Sequence, residues 1–360
     1  MTRIIHIVRA VTWGGGERYA LDLCSRLVEN GDKVTVVTRG LPVVDRHFSR
    51  IPVRLEKMPL GGVFDFVSPW KLARLIESYP EDRVVVHVHN FKDAEIVAKA
   101  KKLVKNKRIW HVCTRHLVKR GKDSLRWRGI YNSIDRLIFV SQLAKKEFLL
   151  GRPGIEEGKI SVIPNSIIVP KGYENPVKRN KTDDFTILYT GRLSPEKGID
   201  TLLHAFHHIS DKSIKLRIVG TGDRKYEEEL RELADSLGER DRIEWKGFVP
   251  DIFHELSEAD LCVFPSTWRE PFGLTIIEAM SQGKAVISTD NGAQPEIITD
   301  GKDGMLVEAG NEKALADAIS RLAENHEVRA EFGENAYGTF NTRFSYDVFF
   351  RKIRAEYEGT

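Results

Sequence analysis

The sequence predicts an α/β protein made of two doubly wound, mainly parallel sheets, each in its own Rossmann-like domain. Three observations carry that expectation. The 360 residues exceed what one ordinary hydrophobic core organises. Short β-branched runs alternate with segments of helical length from end to end. A polar stretch with two prolines and no periodicity, residues 170–184, divides the strand series in two.

In the first half the candidate strands are Ile4–Val8, Lys33–Thr38, Val53–Lys57, Val84–His89, Arg108–Val112 and Leu137–Ser141, with a helical pattern over Glu17–Glu29. Past the break, a new series begins with Thr186–Gly191 and continues through Lys215–Val219, Ile243–Lys246, Leu261–Pro265, Ala285–Ser288 and Gly304–Val307. Tyr226–Leu237 and Glu312–Glu324 are helical in pattern there. The expected organisation is therefore a first domain over 1–169, a linker over 170–184 and a second domain over 185–344. The final stretch, Ser345–Tyr357, reads as an amphipathic helix bearing Tyr346, Phe349, Phe350, Ile353 and Tyr357. Strands alternating with helices build βαβ units with helices on both sheet faces, and ligands then bind beyond the carboxyl ends of the strands.

Composition narrows the class. A hydrophobic content of 41% with 30% charged residues describes a soluble globular chain. No apolar run approaches the roughly 18 residues needed to span a bilayer. The opening Met1-Thr-Arg-Ile-Ile-His-Ile-Val-Arg is broken by His6 and Arg9 and reads as a buried strand, not a signal peptide, so a cytoplasmic location is expected. Cys24, Cys113 and Cys262 are far apart in apolar surroundings, which indicates core thiols and neither a disulfide framework nor a zinc site. The net charge of +4 hides a split: residues 1–175 hold 32 Lys and Arg against 18 Asp and Glu, and the remainder 24 against 34. A first half so basic suits an anionic partner, unless the halves simply differ in surface chemistry.

Three loops carry candidate chemistry. Trp13-Gly14-Gly15-Gly16-Glu17-Arg18 follows the first strand and precedes a helix, so backbone can approach a ligand closely there, or the glycines simply close a turn. It does not match the spaced glycine fingerprint of dinucleotide folds. Thr190-Gly191-Arg192-Leu-Ser-Pro-Glu-Lys197-Gly198 puts two cations just before a helix expected from Ile199, an arrangement suited to a diphosphate. Arg269-Glu270-Pro-Phe272-Gly273-Leu274-Thr275-Ile-Ile-Glu278 forms an irregular turn into a buried helix, with Glu270 ahead of it and Glu278 about one turn inside.

Taken in order, the triple glycine, Gly191 to Gly198, Val219-Gly-Thr-Gly222-Asp223 and the Glu270–Glu278 segment resemble the retaining GT-B glycosyltransferases of glycosyltransferase family 4. Val140-Ser141, Val162-Ile-Pro-Asn165, Trp245-Lys-Gly-Phe-Val249 and Gly292-Ala-Gln-Pro-Glu296 extend the resemblance over nearly the whole chain. It implies a GT-B fold, two Rossmann-like domains facing each other across a cleft, with the nucleotide diphosphate sugar in the second and most of the acceptor in the first. Arg192 and Lys197 would neutralise the departing diphosphate, which the backbone of Phe272, Gly273, Leu274 and Thr275 would cap. Glu270 would hold donor-sugar hydroxyls, Glu278 the ribose and Val249 the base, with Gly15, Gly16, Gly191 and Gly222 also on the donor.

From the first domain, His116 resembles the family histidine that approaches the donor sugar, although Leu117 replaces the acidic residue that often follows it. Gly14, His89, Asn90 and Arg115 would face the acceptor. The last helix would cross back onto the first domain, or else pack on its own lobe. With no Asp-x-Asp motif, no metal and no other cofactor are expected. The implied partners are a nucleotide diphosphate sugar and a glycan or lipid-linked acceptor, not nucleic acid. The basic runs Lys99–Arg108 and Lys119–Arg128, the second with Trp127, suit peripheral contact with an anionic membrane, at its inner face. The implied activity is retaining hexosyl transfer in bacterial cell-surface polysaccharide or lipopolysaccharide biosynthesis. Rival readings are a sugar-nucleotide epimerase or a phosphorylase of the same fold, and a non-catalytic nucleotide-sugar-binding subunit.

Overall fold

The computed structural model describes residues 2–62, 64–176 and 185–359. The chain forms two compact units, Met1–Asn165 with Tyr346–Thr360, and Ser166–Ser345. Of the linker expected over 170–184, residues 177–184 lie outside the described residues. The stretch before them is tied to the second unit: the Tyr173 hydroxyl donates to Asp251 at 2.8 Å and the Gln282 amide to the Tyr173 carbonyl at 3.1 Å.

Among the described residues the first unit holds seven parallel strands, β1 (Arg3–Val8), β2 (Lys33–Thr38), β3 (Arg54–Lys57), β4 (Arg83–Val88), β5 (Arg108–Arg115), β6 (Arg136–Phe139) and β7 (Ile160–Val162), in the order β3-β2-β1-β4-β5-β6-β7. The inner residues of β1, β2 and β4 are buried on both faces, which is why these strands read as largely apolar runs. Ile5 and Ile7 enter one core with Leu72, Val97 and Phe148, whereas Ile4 and Val8 enter the other with Leu23, Leu27 and Phe48. Helix Gly15–Glu29 supplies that second face with Tyr19, Ala20, Leu23, Cys24 and Leu27, a stripe at helical spacing. Each such leucine contributes roughly 1.5–3 kcal/mol by burial. Helix Tyr346–Glu358 adds Phe349, Phe350, Ile353 and Tyr357 to the same face. Arg354 anchors it to Asp32 at 2.6 Å, and the Trp110 indole donates to the Glu356 carbonyl at 2.7 Å. All three cysteines are buried and free.

The second unit holds β8 (Thr186–Thr190), β9 (Lys215–Val219), β10 (Ile243–Gly247), β11 (Leu261–Phe264), β12 (Ala285–Thr289) and β13 (Met305–Val307), all parallel, in the order β10-β9-β8-β11-β12-β13. In both sheets the strand order reverses once, between β1 and β4 and between β8 and β11. A crevice opens at such a reversal, because the connections on either side leave in opposite directions.

Three strand assignments need correction. β7 escapes a pattern search because three half-buried residues carry no alternation. β5 runs on to Arg115, because Thr114 and Arg115 find partners in Ile138 and Phe139 of β6. Conversely, the strand expected to reach Ser141 stops at Phe139, and the Ser141 hydroxyl caps helix Gln142–Leu149 by accepting from the Ala144 amide at 3.1 Å.

Candidate functional site

At the β8–β11 reversal the chain leaves β8 through Gly191 and Arg192, makes a 3-10 turn at Pro195–Lys197 and enters helix Ile199–His207. The neighbouring loop leaves β11 through Pro265 and Ser266 and enters helix Leu274–Ser281. These loops bring Lys197 and Glu270 together: Nζ lies 2.5 Å from Oε1. The Ser266 hydroxyl lies 2.8 Å from the same Glu270 oxygen and 3.0 Å from the Glu196 carbonyl oxygen, its one hydrogen shared between the two acceptors. Arg192 is largely exposed and pairs with Glu196 at 2.6 Å. Helix Leu274–Ser281 has Gly273 at its N-cap, no side-chain cap and no acidic residue in its first turn. Its leading N–H groups therefore have no intrahelical acceptor and carry the positive end of the helix dipole.

Phe272 is buried against Phe344, with ring centroids 6.0 Å apart, so its side chain is structural and its backbone is what remains for a ligand. Glu278 is half-buried, four residues beyond the helix start. Val249 follows the edge strand β10, two strand positions from β8.

Polar side chains brace this loop pair. The Thr289 hydroxyl donates to the Ser266 carbonyl at 2.6 Å, and the Asn291 amide to the Thr267 carbonyl at 2.7 Å. The Ala293 amide donates to the Glu270 carbonyl at 2.9 Å. Two glycines have steric causes. Gly198 sits at φ +67°, and a Cβ there would come 2.1 Å from the Pro265 carbonyl oxygen. Gly222 lies against Leu193, whose carbonyl oxygen would be 1.8 Å from a Cβ, so backbone packing itself demands the glycine expected to touch the donor. Gly198→Ala should therefore cost about 2 kcal/mol or more of stability, read as a lowered thermal midpoint; an unchanged midpoint would contradict this packing.

The first unit carries a cavity of about 850 Å³ beyond the ends of β1, β4 and β5. It includes Gly16, His89, Asn90, Arg115 and His116. A Cβ on Gly16 would meet nothing within 4 Å, so packing does not require that glycine. Gly14 is the N-cap of helix Gly15–Glu29, making Gly15 and Gly16 its first residues. Asn90 caps helix Phe91–Lys101: its side chain accepts from the Asp93 amide at 3.0 Å and donates to the Asp93 carboxylate at 2.6 Å. Arg115 stacks over Phe91 at 4.7 Å and donates to the Lys119 carbonyl at 3.1 Å.

Beneath the cavity runs a chain of hydrogen bonds that sequence reading did not anticipate. Thr114 Oγ1 lies 2.8 Å from His87 Nε2, and His87 Nδ1 lies 2.7 Å from the Tyr357 hydroxyl. That hydroxyl is 3.4 Å from His6 Nε2, and His6 Nδ1 is 3.2 Å from His89 Nε2. Nitrogens of His6, His87 and His89 lie within 4.8 Å of one another, close enough to suggest a metal site. Both His87 nitrogens and both His6 nitrogens already have partners, however, which leaves His89 Nδ1 as the unshared one. Burial lowers every imidazole here, His6 to about 3 and His116 to about 4, so the group is neutral at ordinary pH.

Fold and site together define a two-domain α/β protein with Rossmann-like parallel sheets and polar loops at both topological reversals. Comparison with known proteins gives the family. The model for Glycosyltransferase Family 4 matches residues 13–169, and that for Glycosyl transferases group 1 matches residues 173–339. Between them they take in most of the chain, and the protein belongs to this family of glycosyltransferases. It is 25% identical over 359 residues to the lipopolysaccharide core biosynthesis glycosyltransferase LpsD of Rhizobium meliloti, covering 95% of this chain and 94% of that one. It is 32% identical over 219 residues, 60% of this chain, to an exopolysaccharide phosphotransferase of Streptomyces coelicolor, but spans only 22% of that protein's length. The Anabaena protein Alr3699/HepE, crystallised with UDP, shares the fold with a TM-score of 0.86 at 20% identity, over the full length of both chains. The GT-B fold class expected from sequence is the one these solved structures share.

Proposed function

We propose that the protein transfers a hexosyl group from a nucleotide diphosphate sugar to a glycan or lipid-linked acceptor, with retention of anomeric configuration. The observation that carries this reading is the Lys197–Glu270 pair at the β8–β11 reversal, on the loop that runs into an uncapped helix N-terminus. A diphosphate placed there would meet the Lys197 ammonium, the nearby Arg192 guanidinium and the free N–H groups from Phe272 to Thr275. Preorganised positive groups of this kind stabilise the charge that develops on a leaving diphosphate. Released from Lys197, the Glu270 carboxylate would accept hydrogen bonds from donor-sugar hydroxyls. Glu278 would take the ribose and Val249 the base.

In the transfer step the anomeric C–O bond to phosphate breaks and a C–O bond to the acceptor hydroxyl forms on the same face. The acceptor's proton passes to the departing phosphate oxygen. Glu270, with the Ser266 hydroxyl and the donor-sugar hydroxyls as its partners, acts as a hydrogen-bonding group and not as a nucleophile. Support for the donor class comes from HepE, which has been crystallised with UDP-glucose, and support for a role in lipopolysaccharide or exopolysaccharide synthesis from the relatives.

Protein cations stand where a metal would otherwise neutralise phosphate, so transfer is metal-independent. EDTA at millimolar concentration should leave turnover unchanged; loss of activity restored by Mn²⁺ or Mg²⁺ would refute this. No helix among the described residues is long and apolar enough to cross a membrane, and contact with an anionic bilayer would run through the basic first unit. The reading as a whole is tested by incubating the enzyme with a panel of nucleotide sugars and following the anomeric proton of the product by NMR. An inverted product would exclude retention.

A further inference from the structure

The loop that carries Glu270 has little of its own to hold its shape. Between Glu270 and the helix start at Leu274 stand Pro271, Phe272 and Gly273, and of these only Phe272 buries a large side chain. Its ring meets that of Phe344 edge-on, with centroids 6.0 Å apart and an interplanar angle of 67°. Edge-to-face aromatic pairs fix orientation as well as burying area. Gly273 adds no anchor, since a Cβ there would come 2.6 Å from the Ile276 side chain.

Phe344 is itself firmly held. It ends a π-helical turn, Phe340–Phe344, that follows helix His326–Thr339. Such turns are rare and cluster at functional sites. The Phe344 ring is buried, its carbonyl accepts from the Ser166 hydroxyl at 2.6 Å, and the Arg343 guanidinium lies over the ring at 4.8 Å. Arg343 also donates to the Glu296 carbonyl at 2.5 Å. Glu296 ends the 3-10 turn Gln294–Glu296, and Ala293, which caps the start of that turn, donates its amide to the Glu270 carbonyl at 2.9 Å. One short segment therefore grips the loop twice, at the Phe272 ring and, through this turn, at the Glu270 backbone.

We propose that Phe344 is a positioning residue for the donor site: through Phe272 it sets where the backbone N–H groups of residues 272–275 stand relative to Lys197. This role rests on the donor reading of that loop. A diphosphate cradle is effective when its donors are already in place, because ordering them on binding costs affinity. The stretch Gly292–Glu296 then also has a role, as the second strut of the same loop.

Phe344→Leu tests this, since it keeps an apolar side chain and removes the edge-on ring. Phe332→Leu, the same change in the core beside the sheet, is the control. UDP, GDP and ADP are titrated into the full chain of each protein, at a temperature well below every thermal midpoint. The nucleotide that binds the wild type should bind Phe344→Leu ~10-fold more weakly and Phe332→Leu equally well. Phe272→Leu should show the same ~10-fold loss, and the double variant little more than either alone, because both changes remove one contact. Hydrogen exchange followed by NMR needs no ligand. In Phe344→Leu and in Phe272→Leu it should be ~10-fold or more faster at the Ala293 amide and at the Ile277 amide, which donates to the Gly273 carbonyl at 3.3 Å, with β9 unchanged. A lowered midpoint with affinity and both amides as in the wild type would reduce Phe344 to core packing and overturn the proposal. Equal loss of affinity in Phe332→Leu, or fully additive losses in the double variant, would overturn it too. A wild type that binds no nucleotide would sink the donor reading instead, and the two amides would still decide whether Phe344 positions the loop.

Discussion

Lys197→Ala should lower kcat by about 100- to 1000-fold, the range typical for removal of one preorganised group that stabilises charge in the transition state. The loss has two physical parts. The ammonium that would neutralise the leaving diphosphate is gone, and Glu270, 2.5 Å away in the wild type, is left with its charge turned toward the incoming phosphates. Glu270→Ala should separate these parts. It frees Lys197, so affinity for a nucleoside diphosphate is kept or raised, while transfer falls because the sugar hydroxyls lose their acceptor. The paired side chains are 25% and 17% exposed, so neither change should unfold the unit. Near-normal kcat in both variants would remove this pair from the machinery.

Acid should destabilise the first unit well before the second. His6, His87 and His111 are fully buried, and burial holds His6 and His111 down to about 3 and His87 well below its ordinary value. An imidazole whose folded pKa is depressed takes up its proton only on unfolding. Its contribution is therefore complete above about pH 6.5 and is lost as pH falls toward the folded value. Each such group makes a difference of roughly 1.4 kcal/mol per pH unit across that window. His89 and His116 open onto the cavity and add less.

One group opposes the trend. Burial raises the Asp93 carboxyl to about 7, so the native state keeps a proton there that the unfolded chain releases above about 4. That single acid favours lower pH, but three buried imidazoles outweigh it. Between pH 6.5 and 5 the first unfolding transition should move down by several degrees or more, and the second much less, because the second unit's histidines are exposed or half-buried. Two transitions that shift together would contradict this assignment of buried imidazoles.

Most of the scaffold was legible because both sheets are parallel and their central strands are buried on both faces, which makes β1, β4 and β8 largely apolar runs. Lys197 and Glu270 were legible for a different reason: each belongs to a short motif whose neighbours are glycine or proline, and the structure brings the two together across 73 positions. Ser266 was not, since a serine after a strand carries no signature, and its role appears only when Glu196 and Glu270 converge on its hydroxyl. The chain from Thr114 to His89 was equally hidden. Its members come from β1, β4, β5 and the last helix, and only the register that sets His6 opposite His87 makes them neighbours. Gly222 shows the converse, a motif residue whose glycine is already explained by the carbonyl of Leu193.

The central claim is that the second unit grips a nucleotide diphosphate sugar through Lys197 and the loop that carries Glu270. The most direct measurement is calorimetric titration of UDP, GDP and ADP into the wild-type protein and Lys197→Ala, in the presence of EDTA. One nucleotide should bind to the wild type without metal, and Lys197→Ala should weaken it by ~10-fold or more, as expected for a lost charge-assisted contact. Equal affinity in the two proteins, or binding that appears only when a divalent metal is restored, would contradict the account.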